Sequence, residues 1–462
     1  MTSVPLVRAV DPGSLFEIHS ALEFPRSLIR RYCLRSSRFF ASKPLLVVAL
    51  LLFASAATAL AASSDFSPQT RLGYATGDQW EPALAADGYG NVYILCPQYG
   101  KVPSCPTCSQ PSMMLQVSND NGASWQAPRA LHPSPSGQFD AQIVVDPADR
   151  RTVYASWLQN GRTDVIVAKS RDFGSTWTMV VAANANSELD KPILAVRGRD
   201  VYVGFNHGQK LWVSSSHDGG NSFMSTNMNP NARPGWALAG GATVDPAGNV
   251  YFSWTEYSKT PRAKPVSLFV GKSSDGGQTW STTLLDVSAA PPDCAAFECG
   301  GAYLGAQVSL TSDEAGTLYA LWNAGDRSRA PERIYFSSST TAGSTWSPRL
   351  DVSSAARGAQ HGFPAITAGA AGDVRIAWMD TRNHPLWNTY YRSSTNGGAT
   401  WSPESRLSSY VPGYKYIQRG GFNFPFGDYF GIAIDSRGQS HAAWGEGVNY
   451  QTPGSIWYAN GK

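Results

Sequence analysis

From residue 63 onward, short runs of alternating apolar and polar residues recur, each introduced by a Gly or Asp turn and ending in an aromatic. They read Ala85–Tyr93, Val153–Trp157, Val201–Phe205, Val244–Trp254, Gly316–Trp322, Gly372–Trp378 and Ile434–Trp444. A period of two bounded by turn residues predicts strands, and seven repetitions predict seven copies of one small sheet. The composition agrees: 44 Gly, 15 Trp and 20 Tyr with 15% charged residues suit many short strands joined by tight turns.

After six of these strands comes a second repeat. It reads Ser118–Trp125, Ser170–Trp177, Ser216–Phe223, Ser273–Trp280, Ser339–Trp346 and Ser394–Trp401, with Asp or a substitute at the third position and Gly at the fifth. The Gly supplies a left-handed backbone turn and the Asp accepts backbone N–H groups within it. The following aromatic opens the next strand and packs between sheets. This S-x-D-x-G-x-[ST]-W pattern resembles the Asp-box, or BNR repeat, of the sialidase-like β-propellers. The resemblance implies a structural turn on the face away from any active site. Thr341 and Asn396 replace the Asp in two copies, where looser turns are expected.

The fold class expected is all-β: a seven-bladed propeller of four-stranded antiparallel blades. The seventh repeat lacks a box, and its outer strand is found at the other end of the chain. There, Phe66–Leu72 (FSPQTRL) matches Trp401–Leu407 (WSPESRL) in residue type. An N-terminal strand would then close the ring and remove its free edges. Six blades, the sialidase layout, is the alternative count.

Residues 1–62 read as a separate leader. Arg30 to Lys43 is basic, Leu45 to Ala62 is apolar and small, and Ala57-Thr58-Ala59 and Ala59-Leu60-Ala61 offer cleavage sites. That is a signal-peptide layout, with an uncleaved anchor as the alternative. The domain expected is residues 63–462, secreted or periplasmic, with no stable membrane insertion once the leader is removed. Seven basic and three acidic residues lie in the leader, so the chain's +3 becomes −1 without it. A near-neutral body has no general electrostatic reason to bind nucleic acid or anionic membrane. A monomer is expected.

If the boxes are the outer c–d turns of each blade, the long, variable loops share the opposite face, where function is expected. The inner strands should begin there with Asp78, Glu81, Asp140, Asp190, Lys191, Trp236, His361, Asp428 and Tyr429. The b–c loops add Glu256, Asp326, Arg327, Arg329, Asp380, Arg382 and Glu446. Carboxylates and aromatics around one channel mouth suit a sugar, whose ring stacks on aromatic faces and whose hydroxyls bond to carboxylates. The bland alternative, local backbone capping, competes at every one of these positions.

Sialidases that this chain resembles use an arginine triad, a Tyr nucleophile activated by Glu, and an Asp acid/base. Their F-R-I-P motif is absent, and the matching region reads Arg71–Trp80. Arg327, Arg329, Arg382 and Arg419 are the available guanidiniums, and Tyr429 or Tyr416 beside Glu446 the available nucleophile. For other glycosidase chemistry the carboxylate pairs are Asp140 with Asp190 and Asp428 with Glu446. The first reading is a propeller that binds carbohydrate or another extracellular ligand on its long-loop face. An exo-sialidase-type glycoside hydrolase and a protein-docking scaffold are the alternatives.

Five cysteines follow the leader: Cys96, Cys105, Cys108, Cys294 and Cys299. In an exported chain they imply disulfides, Cys294 with Cys299 and Cys96 with Cys105 or Cys108. A four-thiolate zinc site would require loops of separated blades to meet, so no metal is expected, and nothing calls for a cofactor.

Overall fold

Each alternating run pairs antiparallel with the strand before and after it, so every repeat becomes one sheet. The computed structural model describes residues 65–232, 235–260, 263–293, 302–383, 386–409, 427–447 and 454–461. Seven such sheets form a ring. Blade 1 runs from Asp78 to Ala130 and blade 2 from Phe139 to Asn184. Blade 3 spans Leu189–Asn227, blade 4 Gly235–Ser288, blade 5 Val308–Asp351 and blade 6 His361–Arg406. Blade 7 takes Gly431–Ile434, Ser440–Gly447 and Gly454–Gly461, and its outermost strand is Thr70–Leu72. The innermost strands lie side by side in cyclic order, with blade 7 against blade 1.

The closing strand sits where the sequence match placed it. Thr70, Arg71 and Leu72 pair with Tyr458, Trp457 and Ile456, and Phe66 bridges Gly461. Phe66 then packs edge-on against Tyr391 of blade 6, 4.7 Å between ring centroids. The seventh blade is thus built from both ends of the described chain, which decides the count against six.

Between blades, the aromatic ending each second strand is sealed from water: Trp157, Trp254, Trp322, Trp378 and Trp444 are each at most 1% exposed. Burying an indole removes roughly 200 Å² from water, an upper estimate of about 5 kcal/mol before entropy. Its N–H still needs an acceptor, and the residue two positions on provides one. Trp157 donates to Gln159 (3.2 Å), Trp254 to Glu256 (3.1 Å), Trp378 to Asp380 (2.9 Å) and Trp444 to Glu446 (2.7 Å). Blade 5 has Ala324 at that position, and Trp322 turns to Asp286 on the outer strand of blade 4 instead (2.8 Å).

The boxes are the outer turns of blades 1 to 6. In blade 2, Ser170 donates to Asp172, whose carboxylate also accepts from the Thr176 N–H and hydroxyl, while the Gly174 N–H donates to Ser170 Oγ. These bonds hold the Asp120 and Asp172 carboxyls down at about 2. The expectation of looser turns at Thr341 and Asn396 is not met. The Thr345 N–H donates to Thr341 Oγ1 and the Thr400 N–H to Asn396 Oδ1, both at 2.9 Å. A hydroxyl or amide oxygen reaches the same N–H that a carboxylate does.

The cysteine pairing also differs from expectation. Cys105 and Cys108 are bonded to each other, their Cα atoms 5.4 Å apart across a tight turn. Cys96 points from its strand into the core as a buried free thiol, its pKa pushed up by burial. Cys294 and Cys299 lie outside the described residues, as do Tyr416 and Arg419.

Candidate functional site at the channel mouth

At the long-loop end of the channel the inner strands break their regular pairing. Asp140 and Lys191 sit in bulges, between Phe139 and Gln142 and between Asp190 and Ile193, and Glu81 sits where the inner strand of blade 1 is interrupted. All three take left-handed backbone conformations, with φ of 51° at Glu81, 56° at Asp140 and 50° at Lys191; Phe363 repeats this in blade 6 at 56°. Such conformations are costly for residues with a Cβ, and the bulge re-aims the side chain it carries.

Glu81, Asp140 and Lys191 thereby converge. Lys191 Nζ donates to Asp428 Oδ1, lies 3.7 Å from Asp140 Oδ1 and 3.9 Å from Glu81 Oε1, and sits 4.9 Å above the Tyr429 ring. Asp428 and Tyr429 come from the segment entering blade 7, which is tied across the mouth. The Asp428 N–H donates to Glu81 Oε1 (3.2 Å), Tyr429 Oη to the Ala141 carbonyl (3.1 Å), and Tyr303 Oη to the Gly427 carbonyl. Beside this centre is a cavity of about 130 Å³, walled by Lys191, Asp428 and Tyr429 with Gln142, Gln307 and Ser309 among the other linings.

Electrostatics divides the carboxyls. Burial pushes Glu81 well above the carboxylate range, and Asp428 and Asp140 add to this against the opposing pull of Lys191. Asp190, next to Lys191, is pushed up to about 7 by burial and by the charge of Asp140. Burial alone would lower Lys191, but Asp428, Glu81, Asp140 and Asp190 hold it well above its ordinary value. Tyr429 is raised well above the phenol range by burial and then by the same carboxylates. The centre therefore holds an ammonium among carboxyls, two of which burial raises, and this is the raw material of both polar recognition and acid–base chemistry.

The other candidates lie elsewhere. Glu446 accepts from Trp444 of its own blade and from Gln69, while Glu256 accepts from Trp254 of its own blade and from Asn229 on the segment leaving blade 3. Arg382 is held by Asp380 (2.7 Å) and Glu404 (2.6 Å) and stacks 3.7 Å from the Tyr390 ring. His361 is fully buried, facing the Glu332 and Ala359 carbonyls and Ser353. Asp78 is buried, accepts from the Gly454 N–H (2.6 Å) and is pushed up to about 6 by burial. Arg327 and Arg329 are exposed in the blade 5 loop, while Asp326 pairs with Arg349 (2.6 Å). Trp236 pairs with Tyr257 on the inner strand of blade 4, and its side chain lies outside the described residues. Among the described residues no arginine lies within ion-pair distance of the three carboxylates around Lys191.

Lys191 is the hub that reading by residue type underrated. A signal was present in the tripeptides Glu81-Pro82-Ala83, Lys191-Pro192-Ile193 and Phe363-Pro364-Ala365, which repeat at the start of three inner strands. A Pro inside a sheet marks a bulge, because it cannot donate to the ladder.

Residues 72–300 match the BNR repeat-like domain family. No curated protein sequence matches the chain. Solved structures similar to it include a protein of unknown function from Dyadobacter fermentans, 14% identical with a TM-score of 0.49, covering 86% of this chain and 98% of that one. An ulvan-cleaving polysaccharide lyase is 12% identical with a TM-score of 0.49, covering 84% of this chain and 95% of that one. A mutant NanB sialidase from Streptococcus pneumoniae is 11% identical with a TM-score of 0.46, covering 73% and 70%. These likenesses are distant, and the activities of those proteins do not transfer to this chain. Residues 72–300 carry the family match, and the boxes seated at the outer turns of six blades and the ring of seven sheets make this chain a seven-bladed β-propeller that resembles the BNR-repeat propellers.

Proposed function

We propose that this protein is exported by its leader and binds carbohydrate at the channel mouth, with Asp140, Asp190, Lys191, Asp428 and Tyr429 as the recognising groups. The observation that carries the reading is the convergence of three left-handed, non-glycine residues from three blades on one ammonium–carboxylate centre. Strained backbone of this kind persists where a site needs it. Carboxylates, an ammonium and an aromatic ring beside a small polar-walled cavity suit the hydroxyls and C–H face of a terminal sugar. The excess of carboxylates over the single lysine selects against an acidic sugar and favours a neutral one.

A second reading, glycoside hydrolysis, is favoured by one arrangement: Glu81, whose carboxyl burial pushes well above the usual carboxylate range, shares the Lys191 ammonium with Asp140 and Asp428. The arginine pairings disfavour the sialidase version, because Arg382 is already bound by two carboxylates.

The test is calorimetric titration with a panel of neutral and acidic oligosaccharides, alongside assays for released reducing ends and for an aryl α-sialoside. Binding of a neutral glycan that weakens at least about tenfold in both Asp140→Asn and Asp428→Asn is expected. Binding that survives both substitutions, or no binding to any glycan, rejects the reading. Glycan turnover lost in Glu81→Gln establishes the hydrolase reading, and sialoside turnover lost in Arg382→Ala restores the sialidase one.

A further inference from the structure

On the opposite face, blades 2 and 3 carry a groove that the turn architecture does not explain. It has a volume of about 740 Å³ and is lined by Arg151, Arg171 and Arg199 together with Asp146, Asp149 and Asp218.

The three carboxylates are accounted for by turns: those of Asp149 and Asp218 are their own, and Asp146 also caps the blade 3 turn at Gly198. Asp146 accepts from the Ala148 and Gly198 N–H groups, and Asp149 from the Arg151 and Thr152 N–H groups and the Thr152 hydroxyl. Asp218 accepts from the Ser216 and Ser222 hydroxyls and two backbone N–H groups. The same capping carboxylates recur in other blades, at Asp87, Asp245 and Asp275, for the same purpose.

The arginines have no such account. All three are exposed, and among the described residues none of their guanidinium groups donates a hydrogen bond or forms an ion pair. Each offers five N–H donors in a planar fork shaped for an oxyanion. Lys169, nearby, is instead occupied by the Gly219 carbonyl and Asn221.

The rim of this patch is aromatic and strained. Phe173 holds the first left-handed position of its box, at φ 59°, where blades 3, 4 and 6 use Gly219, Gly276 and Gly397. It lies 5.0 Å beneath the Arg151 guanidinium and 5.5 Å from Tyr89, which is 61% exposed. A bulky aromatic at a position suited to glycine is costly to the fold, and here it supports an exposed ring beside exposed cations.

We propose that this groove binds the oxyanion groups of an acidic polysaccharide. Arg151, Arg171 and Arg199 hold sulfate or carboxylate, and the Tyr89–Phe173 pair gives a sugar ring a surface to rest on. Three carboxylates match the groove's three arginines, and the chain beyond its leader has a net charge of −1. Recognition here therefore rests on the guanidinium forks and the single ring surface and not on a broad positive field, on which nucleic-acid binding depends most. This site is separate from the channel mouth and does not depend on the reading given to it.

The experiment titrates the protein at low salt with a short dextran sulfate, the unsulfated dextran, inorganic sulfate and a deoxythymidylate oligomer. Dextran sulfate is expected to bind, and the Arg171→Ala/Arg199→Ala variant to weaken it at least about tenfold with melting unchanged, since neither side chain makes a structural bond. Arg357→Ala, an exposed arginine on the other face, is the control and should bind as the parent does. Failure to bind dextran sulfate, or binding unaffected by the double variant, overturns the site. Inorganic sulfate binding as tightly as the polymer overturns the polysaccharide assignment in favour of a simple anion. Equal or tighter binding of the thymidylate oligomer overturns it in favour of nucleic acid.

Discussion

Lys191, on the innermost strand of blade 3, donates to the carboxylate of Asp428, which arrives on the segment leading into blade 7. The same ammonium lies within 4 Å of Glu81 and Asp140, and among the described residues no other cation does. Removing it leaves buried carboxylates uncompensated, so Lys191→Met should cost about 3–5 kcal/mol. Asp428→Asn added to that variant should recover part of the loss, because it deletes one of the stranded charges. Calorimetric melting of the two variants checks this, and additive losses would show that the two residues do not act as a pair.

Stability should fall as pH rises from about 5 to about 8. Glu332 and Glu446 are buried, and burial pushes both up to about 8 from an ordinary value of 4.5. In that window the native state keeps protons that the unfolded chain has lost, so the stabilisation present below the unfolded value is withdrawn as pH climbs. Each group contributes a slope of up to roughly 1.4 kcal/mol per pH unit. Asp190, raised to about 7, acts in the same direction. Asp120 and Asp172 act oppositely and lower down, since their stabilisation is lost only as pH falls from 3.8 towards 2. Glu332→Gln can still accept from Asn323, so it should melt with a flatter profile between pH 5 and 8. An unchanged slope would count against this assignment.

Much of the fold was legible because its signals are local. Trp followed two residues later by Gln, Glu, Asp and Glu, at Trp157, Trp254, Trp378 and Trp444, is visible in the chain, and the indole bond it makes repeats in four blades. That regularity also explains why Glu256, Asp380 and Glu446 were drawn into the candidate site: a carboxylate near a channel mouth and one clamping a tryptophan look alike in sequence. The channel-mouth centre was harder to see because it depends on backbone conformation. Glu81, Asp140 and Lys191 meet only because each is left-handed, and no residue type announces that in Glu or Lys. Counting which residues begin inner strands places Glu81, Asp140, Asp190, Lys191, Asp428 and Tyr429 near one end of the channel. That topological argument does not need side-chain direction, but it gives no reason to single these out from Asp78 or His361. The disulfide was missed because Cys96 belongs to the strand pattern, and its alternation turns it into the core.

The boxes tolerate substitution unequally. Thr341 supplies one oxygen where Asp172 supplies two, so Asp172→Ala should be more costly than Thr341→Ala. The Asp172 change strands the Thr176 N–H and two hydroxyls at a wet turn, at about 1 kcal/mol. Its signature is in acid: the parent should lose stability between about pH 4 and pH 2, and the Asp172→Ala variant should lose less there. Urea melts at neutral pH and at pH 3 separate the two effects.

Closure by Thr70–Leu72 should be essential to cooperative folding. Without this strand, Ile456, Trp457 and Tyr458 would present an unpaired edge, and Phe66 would leave its place against Tyr391 in the core of blades 6 and 7. An exposed edge of alternating apolar residues invites pairing with another chain, so deletion of residues 63–75 should yield aggregation or a broad, non-cooperative melt. A milder version separates the strand's hydrogen bonds from its side chains. Leu72→Asp keeps the backbone pairing but places a charge among Leu84, Val92 and Ile456, and should cost about 3 kcal/mol or more. Size-exclusion chromatography and thermal melting read both. A deletion that stays monomeric with the parent's melting temperature would mean that the first six blades and the three remaining strands of the seventh hold the ring closed by themselves.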